Sequence, residues 1–320
     1  KISEAIEVAA KSSAEVFAHG DLKGVVGALA AVGNSLNGDH TYELLAYRTE
    51  EWRGKPRTVS RESVVEMDKA TKPRTFGNLD PETGRVLITP RGPDPVLYGI
   101  RGEDPHTLLK AAGIVRSEEP VERWVIFRTN QGTDSHLRWI ESPGEVKPYR
   151  AVAFRAVVHG EPRTIAGGHV IFRVLFKGVV FHCAAYEPTG GFRMVARSLI
   201  PGDLVEVYGG IRPVDGLLTV NLEKLRIVKL ARNVELRNPA CPRCSSRMKS
   251  MVRGKGFRCK RCGFRNPKAR KLELELPRGL KPGLYIPPPR AHRHLTKPLS
   301  RYGLEKRCIE YGLIEPWHSP

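Results

Sequence analysis

Cys241-Pro242-Arg243-Cys244 and, fourteen residues further on, Cys259-Lys260-Arg261-Cys262 are the strings on which the reading of this chain turns. Each Cys-x-x-Cys pair can fold into a tight knuckle that presents two thiolates to one side, and two knuckles close a tetrahedral site. Four thiolates leave no coordination position for water, so the metal expected on Cys241, Cys244, Cys259 and Cys262 is structural zinc and not a catalytic ion. Redox cysteines are the competing reading; two matched pairs at this spacing favour zinc. The segment is therefore read as a zinc ribbon.

The residues around the cysteines carry charge of one sign. Between Cys241 and Lys271 stand Arg243, Arg247, Lys249, Arg253, Lys255, Arg258, Lys260, Arg261, Arg265, Lys268, Arg270 and Lys271, without a single Asp or Glu. A merely solvated face mixes both signs. Twelve unopposed cations around Phe257 and Phe264 look like phosphate contacts with aromatic stacking partners, the pattern of RNA or single-strand binding. The whole chain of 320 residues has a formal charge of +19 and a pI near 9.9, a field that attracts polyanions.

Upstream of the ribbon the texture is of strands. Residues 149–159, 169–176 and 179–187 have strand composition, the second and third joined by a tight hairpin at Lys177-Gly178. A short helix is expected over 191–199, then strands over 204–211 and 218–228. Five strands with a helix between the third and fourth is the order of an OB-fold barrel; other small barrels have similar counts. On its first two strands Tyr149, Arg150, Phe154, Arg155, His169, Phe172 and Arg173 interleave aromatic and basic side chains. Alternation puts Phe154 and Arg155 on opposite faces, so Arg150, Arg155 and Arg173 are better candidates for RNA contact than the phenylalanines. Cys183, inside an apolar strand, reads as a buried structural residue, and Cys308 has no nearby partner in sequence.

The first 138 residues alternate helices and strands. A helix from Ile2 towards His19 stopped by Gly20, a small-residue helix over 25–32 capped by Asp21 and packed closely on a sheet, and short helices over 63–68 and 105–112, the last capped by Asp104, are expected. Strands are expected over 42–48, 85–89, 96–100 and 125–128. This predicts an α+β unit whose helices cover one face of a mostly antiparallel sheet. The polar turn Arg128 to His136 follows a strand, where ligand sites tend to sit; the bland alternative is a polar loop. Likewise, Arg101 in Gly99-Ile100-Arg101-Gly102 could be a surface residue of a turn. No phosphate-cradling glycine loop or nucleophile elbow is present. After the ribbon come Pro282, Pro287, Pro288 and Pro289, with no room for a core, then a basic stretch over 290–320 expected to order only on a partner. No run of about 18 apolar residues and no secretory pattern occurs, so a soluble, cytoplasmic chain with no membrane partner is expected.

Several strings together resemble one family: Gly27-Ala28-Leu29-Ala30-Ala31-Val32-Gly33, Glu43-Leu44-Leu45-Ala46-Tyr47-Arg48, Pro95-Val96-Leu97-Tyr98-Gly99-Ile100-Arg101-Gly102, Phe127-Arg128-Thr129-Asn130-Gln131-Gly132-Thr133-Asp134-Ser135-His136-Leu137, Ala166-Gly167-Gly168-His169-Val170, and Ala291-His292-Arg293-His294-Leu295-Thr296-Lys297-Pro298-Leu299. They resemble the archaeal tRNA-isoleucine 2-agmatinylcytidine synthetases, along essentially the whole chain. The resemblance implies a remnant helix of a kinase-like domain at 1–20, a ferredoxin-like domain at 21–118, a strand, polar loop and linker returning to the kinase-like domain at 119–147, an OB-fold at 148–232, a zinc ribbon at 233–272 and a Pro-rich, basic arm at 273–320. It implies ATP-dependent ligation of agmatine to the wobble cytidine of the isoleucine tRNA with a CAU anticodon. ATP phosphorylates the ring carbonyl oxygen, and the agmatine amine then displaces phosphate, a flipped-out base giving access to the ring. ATP and magnesium are expected for the full-length enzyme. The family opens with a Gly-Ile-Asp-Asp-Thr-Asp segment serving ATP and metal; Lys1 is expected to fall after it, as in an N-terminally shortened enzyme. Carried over by position, Arg101, Asn130, Thr133, Asp134 and His136 are expected at the edge of the active site, while barrel and ribbon grip the acceptor-stem end of the tRNA. The reading from another class is a non-enzymatic single-strand-binding protein with barrel and ribbon; mere strand binding gives no reason for the α+β unit. A zinc-stabilised protein scaffold is a third, opposed by the unopposed cations.

Overall fold

The structure is a computed structural model that describes residues 2–13, 15–18, 20–34, 36–252, 255–307 and 314–320. Arg253, Cys308 and the far end of the expected first helix at His19 lie outside the described residues. The chain forms two compact units, one made of Lys1–Ser135 with Arg293–Pro320 and the other of His136–His292.

The first unit contains α1 (Ile2–Lys11), α2 (Lys23–Val32), β1 (Thr41–Arg48), α3 (Arg61–Thr71), β2 (Thr75–Phe76), β3 (Val96–Gly102), α4 (Pro105–Ile114) and β4 (Val121–Thr129). The strands make one antiparallel sheet in the order β2-β3-β1-β4. Along β1, Tyr42, Leu44 and Ala46 recur at every second residue and are buried, as period-two alternation demands. They meet Val64 and Met67 of α3 and Leu108 and Ala111 of α4 in one core. Both helices start on side-chain caps. Ser60 accepts from the Ser63 N–H, and Asp104 accepts from the Thr107 N–H at 2.8 Å with Pro105 just inside the helix.

Three local expectations fail. α1 ends at Lys11, well short of His19. α2 begins behind Leu22 in a left-handed conformation and has no side-chain cap, so Asp21 does not cap it; it packs with α1 and leaves Val26 and Val32 exposed. Residues 85–89 form no ladder. Bounded by Gly84 and Pro90, they make scattered backbone bonds to Asn78, Asp80 and Gly99.

The second unit begins with β5 (Arg138–Trp139), β6 (Ala151–Val158), β7 (Arg163–Thr164), β8 (Val170–Phe176), β9 (Val179–Ala185), α5 (Gly191–Arg197), β10 (Leu204–Val214) and β11 (Leu217–Lys229). β6 pairs with β8, β8 with β9, β9 in parallel with β11, β11 with β10, and β10 again with β6. The five strands thus close into a barrel. Its interior holds Phe154, Phe172, Phe176, Phe181, Val207 and Leu225, with Phe154 stacked on Phe176 at 4.7 Å between ring centroids. Lys177 and Gly178 both have positive φ, the primed turn that matches the twist of a two-residue hairpin. Gly209, at a register shift of β10, lies so close to β11 that a Cβ would collide with the Asn221 carbonyl.

Past the barrel, β12 (Val234–Arg237) pairs with β16 (Leu272–Glu275), enclosing a three-stranded sheet of β13 (Lys249–Ser250), β14 (Phe257–Arg258) and β15 (Arg265–Asn266). The Pro-rich segment is more ordered than its composition suggests. β17 (Gly283–Tyr285) adds to β11, Leu280 and Tyr285 pack on the barrel core, and Arg278 pairs with the buried Asp203. The basic arm is folded as well: residues 293–307 belong to the first unit, and Arg301 is fully buried there. Its charge is neutralised by carboxylates distant in sequence, which is why no partner is needed to order it.

Candidate metal centre and nucleic-acid interface

The four ribbon thiols converge so that all Sγ atoms lie within 4.8 Å of one another. Cys241–Cys262, Cys244–Cys259 and Cys244–Cys262 are separated by 3.5, 3.4 and 3.6 Å. A tetrahedron of sulfurs about 2.3 Å from a zinc ion has an edge of about 3.8 Å, so the donor set fits the metal in number, chemistry and size. The two knuckles are built alike. Ser245 and Gly263, each four residues past the first cysteine of its pair, have positive φ and return N–H groups to the carbonyls of Cys241 and Cys259. The Ser246 N–H, its hydroxyl and Cys259 pull the Cys244 thiol down to about 6. Although the Phe264 N–H favours the Cys262 thiolate, the neighbouring thiols of Cys241, Cys244 and Cys259 push this exposed group up to about 12. Zinc takes four thiolates, so the proton that Cys262 holds must leave when the cation enters.

Arg243, Arg247, Lys249, Lys255, Arg258, Lys260, Arg261 and Arg265 are all exposed, as are Lys268, Arg270 and Lys271. Among the described residues none of them sits in an ion pair, unlike Arg237, which pairs with Glu235 on β12. Lys249 lies close enough to Lys260 to lower its pKa through a side-chain hydrogen bond and mutual repulsion. Cations crowded without counter-charge are a surface suited to phosphates. The aromatic expectation needs correction: Phe257 is buried in the ribbon core with Met248, and Phe264 is covered by Arg243 at 4.9 Å.

On the barrel, Arg150 and Arg173 are exposed as expected. Arg155 is tethered to Glu206 at 2.7 Å, and Arg226 binds the same carboxylate, holding the Glu206 pKa low against the opposing effect of burial. Phe154 and Phe172 are core residues, and His169 accepts the Glu187 N–H at 3.0 Å while its ring meets Tyr186 edge-on. Cys183 is buried, and burial pushes its thiol pKa well above the ordinary range.

The polar turn after β4 divides between the units. Thr133 is buried and donates to the Asn130 carbonyl, while Asp134, at φ +62, accepts the Lys297 N–H at 2.7 Å. Gly132 and Asp134 donate their N–H groups to the carbonyls of His294 and Leu295. Arg101 reaches Glu43 at 3.2 Å, and Glu43 also accepts from the Gln131 side chain, so Arg101 and the turn share one carboxylate. His136 departs from the group: it belongs to the second unit, where Nε2 lies 2.8 Å from Glu223. Sequence reading missed Arg301, whose guanidinium binds Asp39, Glu103 and the Gly132 carbonyl. Lys306 joins it on Glu103. Only the Ala291–Leu299 string hinted at this segment.

Among the described residues no helix is long and apolar enough to cross a membrane. A family model described as the TiaS FLD domain matches residues 23–136, and one described as the TiaS C-terminal zinc ribbon domain matches residues 238–280. The tRNA(Ile2) 2-agmatinylcytidine synthetase TiaS of Staphylothermus marinus is 51% identical over 287 residues, 89% of this chain and 62% of that protein. Its namesake in Methanosarcina acetivorans is 45% identical over 90% of this chain and 66% of its own length. That of Archaeoglobus fulgidus is 45% identical over 97% of this chain and 72% of its own length. The chain thus spans about two thirds of the length of these curated relatives. Among solved structures, the apo TiaS crystal structure superposes with a TM-score of 0.79 at 45% identity, covering 94% of this chain and 70% of that one. The TiaS-tRNA(Ile2)-ATP complex gives 0.83 at 44% identity, with coverage of 94% and 69%. The TiaS-tRNA(Ile2)-AMPCPP-agmatine complex gives 0.80 at 43%, with the same coverage. Identity at this level, sustained through both units and the ribbon, places the chain in the tRNA(Ile2) 2-agmatinylcytidine synthetase family.

Proposed function

We propose that this chain is the tRNA-binding part, and one edge of the active site, of an enzyme that uses ATP to join agmatine to the wobble cytidine of the CAU-anticodon isoleucine tRNA. The observation that carries this is identity above 40% along nine tenths of the chain to proteins of that name, one of which binds tRNA(Ile2), AMPCPP and agmatine together. Magnesium would accompany ATP in the complete enzyme, and a tRNA-modifying enzyme of this kind works in the cytoplasm. The four-stranded antiparallel sheet under α3 and α4 supports a ferredoxin-like domain that starts near 21 and runs past 118 to take in β4, and the ring β6-β8-β9-β11-β10, with α5 between the third and fourth of its strands, supports an OB-fold at 148–232. We assign the ribbon to 233–272, the polar loop and linker after β4 to 130–147, residues 1–20 to the kinase-like domain and 273–320 to a strap.

In this reading Arg101, Asn130, Thr133 and Asp134 line the active-site edge, His136 being set apart by its pairing with Glu223. The exposed cations of the ribbon, with Arg150 and Arg173 on the barrel, contact tRNA phosphates; Arg155 does so less, being neutralised by Glu206. The test is binding of the chain to the CAU isoleucine tRNA, initiator methionine tRNA and an unstructured DNA strand at one fixed salt concentration. Preference for the isoleucine tRNA is the expected result. Equal binding to all three would replace the enzyme by a general strand binder.

A further inference from the structure

Tyr149 is an aromatic residue held out of the core by its own backbone. Its φ of +64 lies in the left-handed region that a bulky side chain avoids, at a cost of order 1–3 kcal/mol. Two short backbone bonds fix it there, from the Tyr149 N–H to the Ile211 carbonyl at 2.9 Å and from the Ile211 N–H to the Arg150 carbonyl at 2.7 Å. The residue is nevertheless 71% exposed. The barrel therefore spends conformational strain to present a ring to solvent, and packing gives no reason for it. Arg212 lies against the ring, its guanidinium carbon 5.2 Å from the centroid.

The ring stands at the rim of an open groove of about 480 Å³ that also includes Arg138, Lys147 and Arg150. Those three cations are exposed. The groove's acidic group, Glu145, accepts from the N–H groups of Glu141 and Ser142 and pairs with Arg138 at 3.7 Å, which leaves Lys147 and Arg150 as the cations facing a ligand. A flat aromatic face backed by a guanidinium, with cations beside it, is the chemistry that receives one base and its flanking phosphates.

We propose that this groove is a stacking site for a single unpaired nucleotide of RNA, the base lying on Tyr149 and the phosphates on Lys147 and Arg150. The site rests on the RNA-binding function proposed for the chain and extends it to a feature that double-stranded stems cannot use. A paired base keeps its faces within the helix, so only a single-stranded segment can stack there.

Tyr149→Asn removes the ring while keeping a residue that tolerates the left-handed conformation. The probes are a short unstructured oligoribonucleotide carrying 2-aminopurine and a blunt RNA duplex of equal length, at fixed salt. Tyr149→Asn is expected to weaken single-strand binding about 5- to 150-fold, the equivalent of ~1–3 kcal/mol for one stacked base, and to relieve 2-aminopurine quenching. Duplex binding stays unchanged, and Tyr149→Trp restores both signals. Unchanged single-strand affinity in Tyr149→Asn, or equal weakening on both RNAs, would overturn the site while leaving RNA binding by the chain intact. A wild-type chain that binds neither RNA would overturn the functional reading and the site together.

Discussion

Arg301 is a guanidinium with no solvent exposure, surrounded by Asp39, Glu103 and the Gly132 carbonyl. Removing one member of a buried ionic cluster strands the others, so Arg301→Ala is expected to cost about 3–5 kcal/mol, read as a lowered thermal or urea midpoint. Arg301→Lys should recover only part of this, because an ammonium cannot bridge two carboxylates with the planar fork that guanidinium supplies. The cluster also titrates. Burial by itself would raise the Asp39 pKa, but hydrogen bonds from Arg301 and the Lys306 N–H hold it below the ordinary 3.8. A carboxylate whose folded pKa is depressed contributes stability above its unfolded value and loses it as pH falls through the folded one. The wild-type unfolding midpoint should therefore drop more steeply below pH 3.8 than that of an Asp39→Asn variant, measured as stability against pH in the acid range. None of this was visible in the order of residues. Arg301 sits in a stretch whose composition is that of a solvated tail, and its partners Asp39 and Glu103 lie some two hundred residues away or more.

Elements whose logic is local were the ones the sequence made legible. The ribbon follows from cysteine spacing, and the barrel strands follow from alternation, because each strand needs only its own pattern to declare which face is buried. Residues 85–89 show the limit of that logic: strand-like composition makes a strand only where a neighbouring edge supplies a ladder, and here Gly84 and Pro90 cut it short. Alternation also ranked the barrel phenylalanines below the arginines as contacts, and Phe154 and Phe172 do fill its interior. Two expectations belong to this scale. Gly209→Ala should destabilise the barrel by about 1–3 kcal/mol or more, because its methyl group meets the Asn221 backbone, which cannot move without breaking the β10–β11 ladder. Thermal unfolding of the purified variant measures this. Zinc chelation, or Cys259→Ser, should unfold the ribbon while the barrel persists, since its core of Met248, Phe257 and two cysteines is too small to stand without the metal. Limited proteolysis with and without chelator should place the first cuts between residues 239 and 271.

For the whole molecule, a charge of +19 makes RNA affinity strongly dependent on salt. Each phosphate that the protein no longer neutralises should flatten the log-log slope by about 0.7 for single strands. Reversing Arg258 and Arg261 to Glu should therefore reduce the slope by at least about 1.4 and weaken tRNA binding, measured as affinity across a salt series. An unaltered slope would remove the ribbon from the interface. The division of the first unit into Lys1–Ser135 and Arg293–Pro320 also bears on how the protein is made. A ribosome releases the Asp39 and Glu103 carboxylates long before Arg301 exists, and the entire His136–His292 unit must emerge between them. At about 5–20 residues per second that interval is roughly ten to thirty seconds. Throughout it the sheet of the first unit waits with an unneutralised acidic pocket, while the barrel, whose strands are contiguous, can complete itself. The first strands of this unit emerge ahead of the barrel, yet its pocket closes only after the barrel, when the segment carrying Arg301 arrives.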